Sequence, residues 1–356
     1  MPFPFTLPAR YAYEGPTLEG GQGTVYICRD KYLDRKVAIK VMKGIVDASE
    51  IQKEVTAIQA VRSKHVAQLF DLVVAPNKKT VGLVEEYIPG NTAGEYAAAG
   101  VQKTEYLKLL YQIASGVDDI HSGGRIHRDI KPSNIRLNSE NVVKILDFGF
   151  TSATAEAVTT DAKGTPCYLA PELYGTPPVK FTEAVDTFAF GVTARVLAEG
   201  GAIPPPFKQT PPYANPFPSF SSSPIPLPGD LVSLLDACLA HLPTMRPTMG
   251  DVRKTLGQHL LFGQHRAMIN YGANTYELSS VGKSISLQIG GGGLVIQYDG
   301  LAFRISSVTG AVYINNFPGA AGATLPDSCV ITLGAPWLGG SRTFVPFNVS
   351  HPEVVL

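Results

Sequence analysis

The chain is poor in charge for its length. Asp, Glu, Lys and Arg together make up 17% of 356 residues, and 30 basic side chains balance 30 acidic ones. A net charge of zero gives no electrostatic footprint for nucleic acid or an anionic membrane surface. The four cysteines (Cys28, Cys167, Cys238 and Cys329) form no C-x-x-C pair and have no histidine cluster beside them. That excludes a disulfide framework or a zinc ribbon, and reduced thiols are expected. No run of eighteen apolar residues occurs, so no spanning helix is expected. The opening Met1-Pro2-Phe3-Pro4-Phe5-Thr6-Leu7-Pro8 lacks a basic segment and an apolar core, so no secretory leader is expected and the reading is cytoplasmic. What remains is a globular chain, 44% apolar, long enough for two or three domains.

The polar residues that are present concentrate in one stretch. Arg125-Ile126-His127-Arg128-Asp129-Ile130-Lys131-Pro132-Ser133-Asn134 is followed by a short strand and Asp147-Phe148-Gly149. The stretch supplies a carboxylate, an amine and an amide on one loop, with a second carboxylate about a dozen residues on. Phosphoryl transfer needs such a set: a group to orient the attacking hydroxyl, a cation to steady charge, and two oxygen ligands for magnesium. Upstream, Leu18-Glu19-Gly20-Gly21-Gln22-Gly23 reads as a glycine turn between two strands, where absent Cβ atoms let backbone N–H groups approach phosphate. The strand Val37-Ala38-Ile39-Lys40 follows. Downstream come Ala170-Pro171-Glu172 and Met245-Arg246-Pro247-Thr248.

In order and spacing these motifs resemble the protein kinases, serine/threonine type, including the bacterial members. The resemblance implies an α+β, bilobal kinase fold over 1–262, with a β-rich lobe at about 11–88 and a helical lobe at about 89–262. It implies Mg-ATP as cofactor and transfer of the γ-phosphate to protein Ser/Thr hydroxyls. Asp129 then orients the acceptor hydroxyl, Lys131 steadies the γ-phosphate, and Lys40 holds the α- and β-phosphates. Glu54 pairs with Lys40, Glu50 being a rival for that role. Asn134 and Asp147 bind magnesium. The implied nucleotide surface is Leu18, Gly20, Gly21, Gly23, Tyr26, Ala38 and Lys40, with the hinge residues Glu86, Tyr87 and Ile88. Leu18 stands where the family carries its first glycine. Glu85 falls where the family carries an apolar residue: either it meets a cation such as Lys40, or the register is off by one. Arg128 implies a phosphorylated loop, with Thr159 and Thr160 the favoured sites among Thr151, Ser152, Thr154, Thr159 and Thr160, and self-phosphorylation through a transient homodimer. Glu172 is expected to pair with Arg246, and Asp186 to hold the catalytic loop. The alternative is a nucleotide-binding scaffold without phosphotransfer. A small-molecule kinase is disfavoured by the Gly164-Thr165-Pro166 to Glu172 segment.

Around these motifs, apolar spacing predicts helices at 48–62 and, with Thr104 as N-cap, at 104–122; residues 183–199 read as a helix apolar on most faces, and helices at about 230–240 and 248–262 are expected to complete the kinase-like domain. Residues 1–13 read as an extended lead-in, and 203–228, rich in Pro and Ser, as loop. Residues 263–356 alternate with period two at 284–289, 294–298, 302–306, 311–315, 330–333 and 343–349, which reads as a small all-β sandwich domain. Val281-Gly282-Lys283-Ser284, Thr309-Gly310 leading to Asn315-Asn316, and Leu325-Pro326-Asp327 leading to Gly334 resemble turns of forkhead-associated (FHA) domains. That family's Ser-x-x-His phosphate-binding segment is missing. The resemblance implies a domain that recruits protein partners or substrates.

Overall fold

The computed structural model describes residues 3–19, 23–42, 55, 59, 61–76, 81–147, 158–159, 166–175, 179–209, 217–272, 274–289, 291–350, 352 and 354. The chain divides into two compact units, Met1–Leu256 and Gly257–Val355.

The first unit opens with a five-stranded antiparallel sheet: β1 (Tyr11–Glu19), β2 (Gly23–Asp30), β3 (Arg35–Met42), β4 (Leu69–Val74) and β5 (Val81–Glu86), ordered β1-β2-β3-β5-β4. Residues 14–43, expected to hold a glycine turn and the Lys40 strand, thus contribute to three strands. Successive strand residues point to opposite faces. Tyr26, Cys28, Val37, Ile39, Val41, Val73 and Val84 therefore share one buried cluster, while Val25, Ile27, Ala38, Lys40 and Glu85 face a cleft on the other side. The lead-in does more than run extended. Phe3, Phe5 and Leu7 pack against the buried cluster, and the Phe3 ring sits 4.6 Å from that of Tyr26.

The α-helices whose full span is described are α1 (Ala93–Ala98), α2 (Lys103–Ser122), α3 (Ala184–Ala198), α4 (Gly229–Cys238) and α5 (Met249–Leu260). Helix α2 is capped by Gln102 rather than Thr104: Glu105 accepts from the Gln102 amide at 2.9 Å, and Thr104 falls inside the first turn. Leu107, Leu110, Ile113, Ala114, Val117 and Ile120 form its buried stripe, and Gly124, at φ +67°, follows its end. Helix α3 is buried on nearly every face, as its composition requires. The helix expected at 48–62 falls almost wholly outside the described residues; Val55 and Gln59 are helical. A hairpin of β6 (Ile135–Leu137) and β7 (Val143–Ile145) carries the catalytic-type loop, and β8 (Val158–Thr159) pairs with β9 (Val179–Lys180). The Pro-rich stretch differs from the expected loop. It contains two short 3-10 turns, Pro205–Lys208 and Phe220–Ser222, and buries Phe207, Phe217 and Phe220. Asp236 fixes it by accepting from Ser219 Oγ at 2.6 Å and the Phe220 amide at 2.7 Å.

The second unit is all β in its described sheets. Strands β10 (Ala267–Tyr271), β11 (Asn274–Leu278), β15 (Val312–Ile314), β16 (Phe317–Pro318), β17 (Ser328–Leu333) and β18 (Thr343–Val349) form one sheet, ordered β11-β10-β18-β17-β15-β16. Strands β12 (Ser284–Ile289), β13 (Gly292–Tyr298) and β14 (Phe303–Gly310) form the other. Ile269, Ile331, Val345 and Phe347 from the first meet Leu294, Ile296, Tyr298 and Ile305 from the second in one core. The sequence reading missed the first hairpin, β10–β11. Strand β11 is a sheet edge with four of its five residues exposed, so it carries no period-two signal. All four cysteines are free thiols; three are buried and Cys167 is half-buried.

Candidate active site

The cleft of the first unit is a cavity of about 480 Å³. Leu18, Val25, Ile27, Ala38 and Lys40 line it from the sheet, Glu85 to Ile88 from the strand that leaves the sheet, and Asp129, Lys131, Asn134, Arg136, Leu146 and Asp147 from the opposite side. A larger hollow of about 760 Å³, with Arg62, Lys64 and Lys144 on its wall, lies apart from this chemistry, and none of its described lining residues is a carboxylate.

Lys40 and Asp147 are 107 positions apart in sequence, yet Lys40 Nζ donates to Asp147 Oδ1 at 2.6 Å. Lys40 is 3% exposed, and in this low-polarity setting its buried ammonium needs carboxylate partners such as Asp147. Gly23, on the sheet side, is required by space: a Cβ there would lie 2.4 Å from the Val41 carbonyl oxygen. On the loop, Lys131 Nζ donates to Asp129 Oδ2 at 2.8 Å. Asn134 Nδ2 donates to Asp129 Oδ2 and to the Asp129 carbonyl, both at 2.9 Å. Two donors thus fix the Asp129 carboxylate, and the Asn134 amide oxygen is left to ligate a cation.

The loop is held from below by Asp186 at the start of α3. Its carboxylate accepts from the amides of His127 at 2.7 Å and Arg128 at 2.8 Å, and contacts His121 Nε2 at 3.0 Å. Burial alone would push this carboxyl up, but His121, His127 and the backbone donor outweigh it and hold it below the ordinary value. The Asp129 amide donates to His127 Nδ1, which assigns the ring proton to Nε2, the donor to the Leu146 carbonyl at 2.9 Å. Arg128 and Asp147 both occupy left-handed backbone, at φ +69° and +60°. Non-glycine residues accept such a conformation only where surrounding contacts enforce it, and these two flank the site.

Sequence and structure part at several residues. Tyr26, expected on the nucleotide surface, is 7% exposed in the cluster on the far face; strand alternation gives the cleft to Val25 and Ile27 instead. Glu85 does line the cleft, opposite Ala38 in the β3–β5 register, so the register was not off by one. Its expected cation, Lys40, is committed to Asp147. Burial and the Asp147 charge push the Glu85 carboxyl up to about 7, with Lys40 offsetting in part. Glu86 turns away: its carboxylate accepts from Lys144 Nζ at 2.9 Å and its amide donates to the Gln68 carbonyl, so that amide is not offered to a base. Glu172 and Arg246 meet in a bidentate pair, both contacts 2.7 Å. Arg136 escaped the sequence reading. Two residues past Asn134, it alternates with buried Ile135 and Leu137 and so reaches the cleft, where Nη1 donates to the Gly90 carbonyl at 2.8 Å. Gly20, Gly21, Glu54, Glu50, Phe148, Gly149, Thr151, Ser152, Thr154, Thr160 and Thr165 lie outside the described residues.

The sequence profile of the family described as "Protein kinase domain" matches residues 18–256. Among curated proteins, the chain is 31% identical over 202 residues to a probable serine/threonine-protein kinase of Clostridium acetobutylicum, covering 54% of this chain and 30% of that one. It is 30% identical over 253 residues to the serine/threonine-protein kinase AfsK of Streptomyces coelicolor, covering 68% and 31%. Human cyclin-dependent kinase-like 2 is 36% identical over 200 residues, covering 53% and 40%. The matches thus span about a third of these relatives' own lengths.

Proposed function

We propose a function from one premise: this chain belongs to the protein kinase family. In this reading the first unit is a two-lobed serine/threonine kinase that transfers the γ-phosphate of Mg-ATP to protein hydroxyls. The observation that carries it is the Lys40–Asp147 contact at 2.6 Å, made in the same cleft as the Asp129–Lys131–Asn134 cluster.

The residues divide the work by their chemistry. The Lys40 ammonium attracts the α- and β-phosphates. Asp129, held by two donors, points a carboxylate oxygen at the acceptor hydroxyl and takes its proton as the oxygen attacks. Lys131 steadies the charge on the transferred group. Asn134 and Asp147 offer the hard oxygen ligands magnesium takes, and the donor set fits that ion. Magnesium, when bound, neutralises phosphate charge and orients the triphosphate. Val25 and Ile27 give the base an apolar roof, and the backbone of 86–88 an edge to bind.

Two finer elements belong to the same reading. Arg128 pairs with phosphate on the segment holding Thr159 and Thr160, which the enzyme adds itself through a transient homodimer. The second unit recruits protein partners or substrates; an all-β core with turns at Gly282, Gly310 and Asn315-Asn316 supports an FHA-like fold. No helix among the described residues is long and apolar enough to cross a membrane.

Incubating the parent and Asp129→Ala proteins with Mg-ATP, followed by phosphosite mapping, tests the proposal. Phosphate on Thr159 or Thr160 in the parent alone is the expected outcome. A parent that binds ATP yet phosphorylates neither itself nor a general protein substrate would leave the scaffold reading instead.

A further inference from the structure

We propose that Glu85 makes this cleft select a six-aminopurine nucleotide over a six-oxopurine one, a role that rests on the Mg-ATP reading above. Its position follows from strand geometry. In the β3–β5 register Glu85 stands opposite Ala38 and Leu83 opposite Lys40, so residues 83 and 85 face the cleft side. Val84 is fully buried on the far face, and Glu86 is tied to Lys144. The Glu85 carboxylate therefore stands at the inner end of the segment 86–88 that would receive the edge of a base.

That carboxylate has no hydrogen-bond or ion-pair partner among the described residues. Lys40, the cation whose charge acts on Glu85, is bound to Asp147, whose own charge acts on Glu85 in the opposite sense. A half-buried acceptor without a donor is costly, and a ligand donor placed there relieves the cost. In the proposed pose the base lies edge-on against 86–88 with its six-position toward Glu85. A six-amino group presents N–H and pairs with the carboxylate. A six-oxo group presents lone pairs, is repelled, and leaves the acceptor unsatisfied. Sites built to pair a polar group reject the analogue that lacks it far more strongly than apolar pockets reject a change of size. Arg136, on the side of the cleft opposite the sheet, does a different job. A guanidinium stacks on any purine face, so it supports affinity without choosing the base.

The test is calorimetric titration of the full chain with Mg-ATP and Mg-GTP at pH 8, where the carboxylate is charged. The parent binds ATP at least about 100-fold more tightly than GTP. Glu85→Gln, whose amide can donate to a six-oxo group, and Glu85→Met, which removes the repulsion, each cut that ratio at least tenfold. Both variants delete an unpaired, half-buried charge, so folding is not put at risk. Arg136→Leu weakens both nucleotides alike and keeps the ratio. A parent that binds GTP within tenfold of ATP overturns the proposal, as does an unchanged ratio in both variants; either result leaves the Mg-ATP reading standing. A parent that binds neither nucleotide overturns both.

Discussion

Substitution of Glu172 tests whether the pair it forms with Arg246 holds the first unit together. The Arg246 side chain has no exposed surface, whereas that of Glu172 is 21% exposed. Besides its two contacts to the carboxylate, the guanidinium donates to the carbonyls of Ala240 at 2.8 Å, Ala184 at 2.9 Å and His241 at 3.1 Å, and lies 5.1 Å from the Phe188 ring. Glu172→Gln keeps the shape but removes the charge and turns an amide N–H toward other N–H groups. Breaking a buried pair by removing one partner costs about 3–5 kcal/mol. Here three carbonyls still receive the cation, so the lower end, about 3 kcal/mol, applies. With a urea slope of about 3 kcal/mol per molar, the midpoint falls by about 1 M. Far-UV circular dichroism at the helix band follows the first unit, which carries the described α-helices up to Leu256. Arg246→Met removes the same pair and also strips three carbonyls of their donor, so it costs more than Glu172→Gln. A Glu172→Gln midpoint within about 0.3 M of the parent, or a milder loss from Arg246→Met, would refute the reasoning.

The other predictions use the same kinds of measurement. The folded Glu85 carboxyl titrates near 7 against an ordinary value of 4.5, so the fold binds a proton that the unfolded chain has released. Parent stability therefore declines as pH rises from about 4.5 to 7. Glu85→Gln removes this decline, matching the parent at pH 4.5 and exceeding it at pH 8 by up to about 3 kcal/mol in urea titrations of nucleotide-free protein. Parallel pH profiles in parent and variant would contradict this. Asp186→Asn loses the charged acceptor of two loop amides, lowering stability by about 2 kcal/mol and kcat at least tenfold, while the nucleotide Kd changes less than threefold. Unaltered turnover would show that the loop does not need its anchor. Tyr26→Ala costs about 3 kcal/mol of stability with nucleotide affinity nearly intact, whereas Val25→Ala weakens nucleotide binding; the reverse pattern would return Tyr26 to the cleft.

The sequence by itself determined the order of the chemistry. Lys40, Asp129, Lys131, Asn134 and Asp147 stand out because polar residues of those types, on a strand and two loops, have little reason to recur at those spacings unless they share a substrate. Period-two alternation likewise encodes which residues of a strand share a face, since it follows from local geometry; Val25 and Ile27 were readable from it, and Tyr26 was misplaced by neglecting it. Helix α2 was legible because its apolar residues recur every three or four positions, and α3 because it is apolar on most faces. Tertiary structure alone decided the rest. The 2.6 Å contact between Lys40 and Asp147 depends on how a sheet and a loop pack. The use of Phe3 and Phe5 as cover for the sheet's far face depends on an apolar surface that the strands create together. That contact also engages Lys40, so that Glu85 has no ion-pair partner among the described residues of the cleft. Local sequence fixes what a segment prefers, but a charge's partner is fixed only when distant segments compete for it in three dimensions.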